Sequence, residues 1–463
     1  MKPDFVTTPQ QNNPMLSFLD REHTTAPPGY SRWLVPPAAI AVQMCIGEIY
    51  GFSVFNLPLS RTLGITKPAA GDWSVPTIVL CTYSLGLIIL GLSAAFFGKW
   101  VERNGPRKTM VASACCFCGG LVVASLGVRI HSLPLLTLGY GLIGGIGLGL
   151  GYIAPVSTLV KWFPDRPGMA TGMAIMGFGS GALVGGPLGV VLMEHFKSAT
   201  SVGVSEAFLV MAGLYFVMMN FGALIVRVPA PGWVPEGYTP STEVKKLVTT
   251  ANVSVDTAWK TPQFWLLWMV LCMNVTAGIG VLAQASPMAQ DMFGVSAAAA
   301  GGFVGLLSIF NMGGRFFWSS YSDVIGRKGA FCVYFILGCA LYLLIPYSQK
   351  LNSVTFFGAI ASVIISMYGG GFATTPAYLR DMFGTMQVGA IHGRVITAWS
   401  MAAVLGPQLV TNISAYQKAH GIPKEQAYNG TMYLMAGLLV VGLVCNLLVR
   451  EVDPKHYHKE WTT

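Results

Sequence analysis

Twelve long apolar segments constrain the fold of this chain more than any other feature. They recur from Trp33 to Val449, and each has about 20 residues or more, enough to cross a hydrocarbon core of about 30 Å. Backbone polar groups must be satisfied internally in lipid, and no segment alternates strictly like a transmembrane β-strand. We therefore predict an all-α membrane protein with twelve transmembrane helices, at residues 33–57, 73–98, 108–128, 134–160, 168–193, 205–227, 263–290, 297–321, 329–347, 352–379, 388–414 and 428–449.

The composition argues against a soluble enzyme. Hydrophobic residues make up 53% of the 463 residues and charged residues only 10%, whereas soluble domains usually carry about 25% charged residues. The nine cysteines have no partner pairs at metal-binding spacing, and no Ser/His or His/Glu constellation lies at mid-depth of a span. We expect no enzymatic activity, no cofactor and no metal.

The basic residues follow a membrane topology and not a nucleic-acid surface. The net charge is +9, and most Lys and Arg residues fall in the segments that face the cytoplasm when both termini lie inside. This bias predicts a multi-pass protein of the cell membrane with two cytoplasmic termini, and we expect a monomer that does not bind nucleic acid. The polar, Pro-rich residues 1–32 lack a cleavable signal and predict a disordered cytoplasmic tail, and residues 451–463 form a second tail.

An internal repeat divides the chain into two halves. The loop Gly98–Lys108 is echoed at Ser319–Lys328, and the spacing between equivalent residues is constant. It is the same for the pairs Glu102 and Asp323, Gly105 and Gly326, Pro155 and Pro376, and Gly172 and Gly393. Six spans per half make the halves parallel repeats. We predict a six-helix bundle at 33–228, a cytoplasmic linker at 229–262 and a second six-helix bundle at 263–450.

The linker allows two interpretations. Lys245 and Lys246 with Trp259 suit a segment lying on the inner leaflet, and a plain solvated connector suits them as well.

The repeated loop and the six-plus-six layout resemble the major facilitator superfamily over about residues 33–450. The first-helix run Ile49–Phe55, the linker run Pro231–Tyr238 and a lone arginine in the eighth span are similar to the oxalate/formate antiporter family, which is related to monocarboxylate transporters. The resemblance implies that the loop latches the outward-facing state, as opposed to forming a plain solvated turn. The implied gate residues are Glu102, Arg103, Gly105, Arg107, Asp323, Gly326 and Arg327.

Arg315 is the residue most informative about function. It precedes Asp323 by eight residues, about 12 Å of helical rise, and a cation at such depth costs about 2.5–3.5 kcal/mol on insertion scales. A carboxylate substrate would offset this cost, because the guanidinium fork matches a carboxylate. The alternative is a structural pair with Glu48, and the two arrangements can alternate if Glu48 occupies Arg315 when substrate is absent.

Two positions depart from the families that the chain resembles. Asn311, one turn before Arg315, stands where monocarboxylate transporters commonly carry a proton-exchanging Asp, so Glu48 becomes the candidate proton carrier, with His392 as a weaker one. Trp399 stands where oxalate exchangers carry a Lys within a Thr-Ala-Lys-like stretch. One cation fewer favours a monocarboxylate over a dicarboxylate, although ordinary packing also explains a Trp.

Further candidate substrate contacts are Tyr50, Tyr152, Tyr368 and Asn274, whose polar groups suit the second carboxylate oxygen. Together these residues predict a secondary active transporter of small monocarboxylates such as formate, lactate or pyruvate. Alternating access would be driven by proton symport or by anion exchange. The alternatives are oxalate/formate exchange and, in a different class, drug or cation efflux. Efflux of cations calls for acidic cavity residues, and only Glu48 qualifies.

Overall fold

Membrane-length helices make up nearly all of the structure, a computed structural model that describes residues 14–238, 247–423 and 426–458. The first half contains α1 (Val35–Ile46, a 3-10 turn at Gly47–Gly51, then Ser53–Leu59), α2 (Val75–Val79, a π-helical turn at Leu80–Ser84, then Leu85–Asn104), α3 (Pro106–Arg129), α4 (Leu133–Leu136, a π-helical stretch at Thr137–Gly144, then Gly145–Trp162), α5 (Pro167–Phe196) and α6 (Val204–Ile225).

The second half repeats this order. It contains α7 (Pro262–Phe293), α8 (Ala297–Ile325), α9 (Arg327–Lys350), α10 (Val354–Phe383), α11 (Val388–Val395, then Thr397–Ala419) and α12 (Asn429–Leu448). Eleven helices within the described residues are long and apolar enough to cross a membrane. The remaining one, α8, has 29 residues and carries Arg315. The predicted all-α fold is confirmed.

Helix boundaries follow from local chemistry. Pro106, Pro167 and Pro262 occupy first helical positions, where the missing N–H costs nothing. Gly105 (φ 82°) and Gly326 (φ 79°) each separate two consecutive helices, and this left-handed backbone is one that glycine adopts without strain. We call the side of the molecule that carries these two turns the loop face and the opposite side the open face.

The segments outside the bundle are folded where the structure describes them. Residues 14–32 form short 3-10 turns, and Arg21 Nη1 donates to the main-chain oxygen of Glu102 at 3.0 Å. Ala26 N donates to Val228 O at 2.9 Å. The tail was expected to be disordered, whereas its residues 14–32 find hydrogen-bond partners at Glu102 and Val228. Residues 1–13 and 459–463 lie outside the described residues.

The linker also packs on the second half. Thr249 N donates to Asp381 O at 2.8 Å and Val253 N to Phe383 O at 2.9 Å. A short helix, the linker helix, covers Val255–Ala258. Lys245 and Lys246, which were considered for the inner leaflet, lie outside the described residues.

Candidate functional site

A cavity of about 400 Å³ lies between the halves and opens toward the open face. The helices α1, α2 and α5 of the first half and α7 and α8 of the second half line it, with Tyr50, Ser53 and Asn56 of α1 facing Ser308 and Asn311 of α8. The lining mixes hydroxyl and amide groups with apolar walls, which is typical of sites for small molecules. We call it the central cavity.

Arg315 lies just beyond Asn311, fully buried. Its Nε donates to Asn311 Oδ1 at 3.1 Å and its Nη1 donates to the main-chain oxygen of Ile175, in the other half, at 3.3 Å. Its Nη2 has no partner in the described part of the chain. Burying a neutral donor without an acceptor costs about 1–3 kcal/mol, and burying a charged one costs more. Nη2 of Arg315 is therefore the donor that an anionic acceptor could use.

Aromatic rings surround this guanidinium. Its carbon lies 5.3 Å from the ring centroid of Phe372, 5.9 Å from that of Phe178 and 6.0 Å from that of Tyr50. Trp399 and Tyr152 complete this aromatic cage, because the ring of Trp399 lies 4.8 Å from Phe372 and 5.5 Å from Tyr152. Ring faces attract the cation and exclude water from it, which strengthens any ionic hydrogen bond formed there.

Two further donors of the cage are unpaired. Trp399 Nε1 and Tyr152 Oη are both buried without a hydrogen-bond partner among the described residues. Buried polar groups normally find partners, so these donors in the cage around Arg315 are available to an acceptor. A carboxylate supplies acceptors only. The structure brings Arg315, Trp399 and Tyr152, three of the candidate substrate contacts, into one cluster.

The remaining predicted contacts divide between the cavity and the second half. Tyr50 and Tyr368 meet across the halves with their hydroxyl oxygens 3.3 Å apart, beside Arg315. Asn274 lines a different cavity, of only about 10 Å³, within the second half, together with Tyr334, Tyr342 and Tyr368.

Glu48 lies apart from Arg315. Its Oε2 accepts from Tyr140 Oη at 3.0 Å, its Oε1 has no partner, and it makes no ion pair with the described residues. A Cβ built on Gly185 would lie 2.7 Å from Glu48 Cγ and 3.0 Å from Tyr215 Oη, which places the carboxylate among α4, α5 and α6 of the first half. The expected Glu48–Arg315 pair is therefore not formed in this structure.

The halves touch on the loop face through two equivalent contacts. Glu102 Oε1 accepts from the main-chain N of Gly389, in the first turn of α11, at 2.9 Å. Asp323 accepts from the main-chain N of Gly168 and Met169, in the first turn of α5, at 2.9 Å each. Each acid thus binds the N-terminus of a helix of the other half, where the helix dipole favours negative charge.

The other predicted gate residues support these two acids or lie beside them. Arg327 Nη2 donates to Asp323 at 2.6 Å and its Nε to Asp381 at 3.1 Å. Arg107 instead donates to Phe18 O of the N-terminal segment at 2.7 Å, and Arg103 is exposed.

A linker residue that the sequence did not single out, Asp256, pairs with both Lys99 of α2 and Arg394 of α11. The hydrogen bond from Lys99, with that from Arg394, lowers the pKa of Asp256.

Small residues allow close contact along the same face. A Cβ on Gly98 of α2 would lie 2.7 Å from Ala390 Cα of α11, and one on Gly393 would overlap the main-chain oxygen of Ala94. At the equivalent contact of α5 with α8, a Cβ on Gly172 would overlap the hydroxyl of Ser319. We call these contacts the glycine seam. Together with the two acids, it closes the loop face.

Sequence reasoning missed Phe178, Phe372 and the main-chain oxygen of Ile175. Both phenylalanines stand next to glycines, in Gly177-Phe178-Gly179 and Gly371-Phe372, and a lone aromatic residue in a glycine run is the signal that was available. His392, the weaker candidate proton carrier, is buried beside Tyr152, with ring centroids 5.8 Å apart.

The family model of the Major Facilitator Superfamily matches residues 38–407. The chain belongs to the Major Facilitator Superfamily. This major facilitator chain is 28% identical to an uncharacterized MFS-type transporter, YhjX, of Escherichia coli, over 81% of this chain and 86% of that one. It is 26% identical to the oxalate:formate antiporter of Oxalobacter formigenes (81% and 83% covered) and 25% identical to the apicoplast pyruvate carrier 1 of Toxoplasma gondii (65% and 63%).

A solved structure confirms the major facilitator fold. The bacterial homologue of the iron transporter ferroportin, in its outward-facing state, superposes with a TM-score of 0.64 at 12% identity and covers 90% of this chain and 98% of its own. At this identity the likeness concerns the fold alone. Proteins of this superfamily are transporters and not enzymes, as the sequence predicted.

Proposed function

We propose that this chain is a secondary active transporter that moves small monocarboxylates, such as formate, lactate or pyruvate, by alternating access. One observation carries the proposal: the guanidinium of Arg315 is buried between the halves with Nη2 unpaired, inside an aromatic cage whose Trp399 and Tyr152 donors are also unpaired. A single anionic group with two oxygens would satisfy these donors. Relatives named as an oxalate:formate antiporter and a pyruvate carrier support a carboxylate substrate.

The arrangement of the halves supports one state of the transport cycle. The loop face is closed by Glu102, Asp323 and the glycine seam, while the central cavity is open on the other side. If the basic loops face the cytoplasm, as their charge predicts, this is the outward-facing state. Substrate then reaches Arg315 from the central cavity, past Tyr50 and Asn311.

An uptake panel tests the proposal. The purified protein is reconstituted into liposomes, and uptake of labelled formate, lactate, pyruvate and oxalate is measured with and without an inward proton gradient and with each acid loaded inside. We expect saturable uptake of at least one monocarboxylate. Uptake of organic cations and of none of the acids would contradict the proposal and favour the efflux alternative.

Substrate charge is tested at Trp399. We expect monocarboxylates to compete for uptake and dicarboxylates of similar size to compete poorly, because Arg315 is the only cation of the cage within the described residues. Trp399→Lys adds a second cation and should raise the preference for oxalate over formate about tenfold, a change of about 1.4 kcal/mol. Trp399→Phe is the matched control, since it keeps a ring and adds no charge. An equal shift in both variants would show that packing and not charge sets the preference.

Coupling is tested at Glu48. Glu48 is a buried carboxyl that makes no ion pair with the described residues, and its Oε1 has no partner there, which suits a proton carrier. We therefore expect Glu48→Gln to keep exchange of labelled for unlabelled substrate and to lose stimulation by a proton gradient. The structure gives no direct Glu48–Arg315 pair, so coupling would pass through α1, which carries both Glu48 and Tyr50. Gradient-driven accumulation that is unchanged in Glu48→Gln would rule out Glu48 as the proton carrier. Uptake that a proton gradient stimulates in neither protein would favour anion exchange, the mode named for the oxalate:formate relative.

A further inference from the structure

A second cavity lies on the outer surface of the bundle, near the ends of the helices at the loop face. Its volume is about 370 Å³, and it is lined by Phe96 of α2, Trp259 after the linker helix, Trp265 and Trp268 of α7, and Arg394 and Thr397 of α11. We call it the aromatic groove. It has no part in the substrate site, which lies at mid-depth between the halves.

Three side chains of the aromatic groove are exposed on the outer surface of the bundle. Phe96 is 80% exposed, Trp265 50% and Trp259 44%. Tryptophan at the end of a membrane helix sits where the acyl chains meet the headgroups. Trp268 is held in place by a hydrogen bond from its Nε1 to Thr397 Oγ1 at 2.9 Å, so this wall is fixed. The aromatic groove therefore offers an apolar surface at the depth of the part of an acyl chain that lies nearest the headgroup.

The rim of the groove is basic. Arg394 lines the aromatic groove, Lys99 lies one turn beyond Phe96 on α2, and Lys260 follows Trp259. Asp256 neutralises part of this charge through its pairs with Lys99 and Arg394, and Lys260 makes no ion pair with the described residues. Three cations against one acid leave an excess of positive charge at headgroup depth, which suits an anionic headgroup.

Arg394 keeps donors for such a ligand. Its Nη1 donates to Val255 O at 2.8 Å and its Nη2 to Asp256 Oδ1 at 3.1 Å. A guanidinium has five N–H groups, so these two bonds hold the side chain and leave others for a phosphate. Its carbon also lies 5.6 Å from the centroid of Trp259. The charged group is thus positioned before any ligand arrives.

We propose that the aromatic groove binds an anionic phospholipid of the leaflet at the loop face, with the phosphate at Arg394 and an acyl chain along Phe96 and Trp265. Because Phe96 belongs to the first half and Trp265 and Arg394 to the second, the bound lipid contacts both halves. It stabilises the arrangement in which the loop face is closed. Parting the halves on this face would separate the two walls of the groove.

Lipid retention tests the proposal. The detergent-purified protein is incubated with phosphatidylglycerol or with phosphatidylcholine of the same acyl chains, and bound lipid is counted by native mass spectrometry. We expect phosphatidylglycerol to be retained at least fivefold more than phosphatidylcholine. Arg394→Gln should bring retention down to the level of phosphatidylcholine, whereas Lys455→Gln, which removes another loop-face cation, should not change it. Equal retention of both lipids, or equal behaviour of the two variants, would overturn the proposal.

Two further arms distinguish lipid binding from a folding defect and from binding of a soluble anion. Trp265→Ala leaves the contacts of Arg394 intact and should also lower retention severalfold, so a folding defect of Arg394→Gln cannot decide the outcome alone. Glycerol 3-phosphate should not displace the lipid, and displacement at comparable concentration would indicate a soluble anion instead.

Hydrogen exchange tests the effect of the lipid on the two halves. In nanodiscs, phosphatidylglycerol should slow amide hydrogen exchange in 93–105 and 385–396 at least threefold relative to phosphatidylcholine. Unchanged exchange would rule out stabilisation of the closed loop face.

Discussion

Replacing Arg315 by alanine or by lysine is expected to abolish transport of small monocarboxylates while both halves stay folded. A hydrogen bond to a charged group contributes about 1.5–3 kcal/mol, so losing a two-pronged contact lowers affinity by a factor of about 100 or more. Lysine keeps the charge but loses the planar fork. It also loses the bond from Nε to Asn311 and the bond from Nη1 to Ile175 O.

The measurement is initial uptake in proteoliposomes together with substrate binding by calorimetry. The matched control is Arg129→Ala, which removes an exposed arginine at the C-terminal end of α3 and should leave both readouts unchanged. Uptake by Arg315→Ala at the rate of Arg129→Ala would show that Arg315 does not hold the substrate.

Gly393→Ala is expected to prevent closure of the loop face. Its methyl group would overlap the main-chain oxygen of Ala94 in the other half, and backbone cannot move aside as the end of a side chain can. Overpacking costs about 1–3 kcal/mol, which changes the balance between the two states by a factor of about 5–150. The penalty falls on one state alone, because the contact joins the two halves.

Hydrogen exchange of the segments 98–105 and 385–393 should become faster in Gly393→Ala, and uptake from the open face should fall with it. Gly213→Ala is the matched control, since nothing lies within 4 Å of a Cβ at that position. Thermal unfolding of each variant separates a shift between states from loss of folding. If exchange on the loop face were as slow in Gly393→Ala as in Gly213→Ala, the glycine seam would not control closure.

Much of the fold could be predicted from the sequence, because lipid imposes helices and because duplication leaves a constant spacing. The turns at Gly105 and Gly326 and the acids Glu102 and Asp323 were identified in this way. Their partners were not, since the main-chain N–H groups of Gly389 and Gly168 carry no sequence signal. The folding of residues 14–32 was missed for a similar reason, because a bond from the Arg21 side chain to the main-chain oxygen of Glu102 and main-chain bonds with Val228 hold this segment.

The candidate site was predicted in part. Arg315 is conspicuous because a lone cation in an apolar span is costly, whereas Phe178 and Phe372 are ordinary residues for a membrane helix. The expected Glu48–Arg315 pair is not formed because Glu48 points away from Arg315 around the axis of α1, and not because the two residues lie at different depths. Glu48 and Tyr50 share the 3-10 turn at Gly47–Gly51, where residues two apart differ by about 240°. Tyr50 consequently faces the central cavity while Glu48 faces the first half.

The glycine seam and the aromatic cage are built from different residues, and this separation bears on which positions of the chain can be substituted. The close contacts at Gly98, Gly172 and Gly393 leave no space for a larger residue in this arrangement. Trp399, by contrast, belongs to the aromatic cage and Asn311 lines the central cavity. We therefore expect substitutions at these two positions to change the surroundings of Arg315 without adding bulk at the glycine seam.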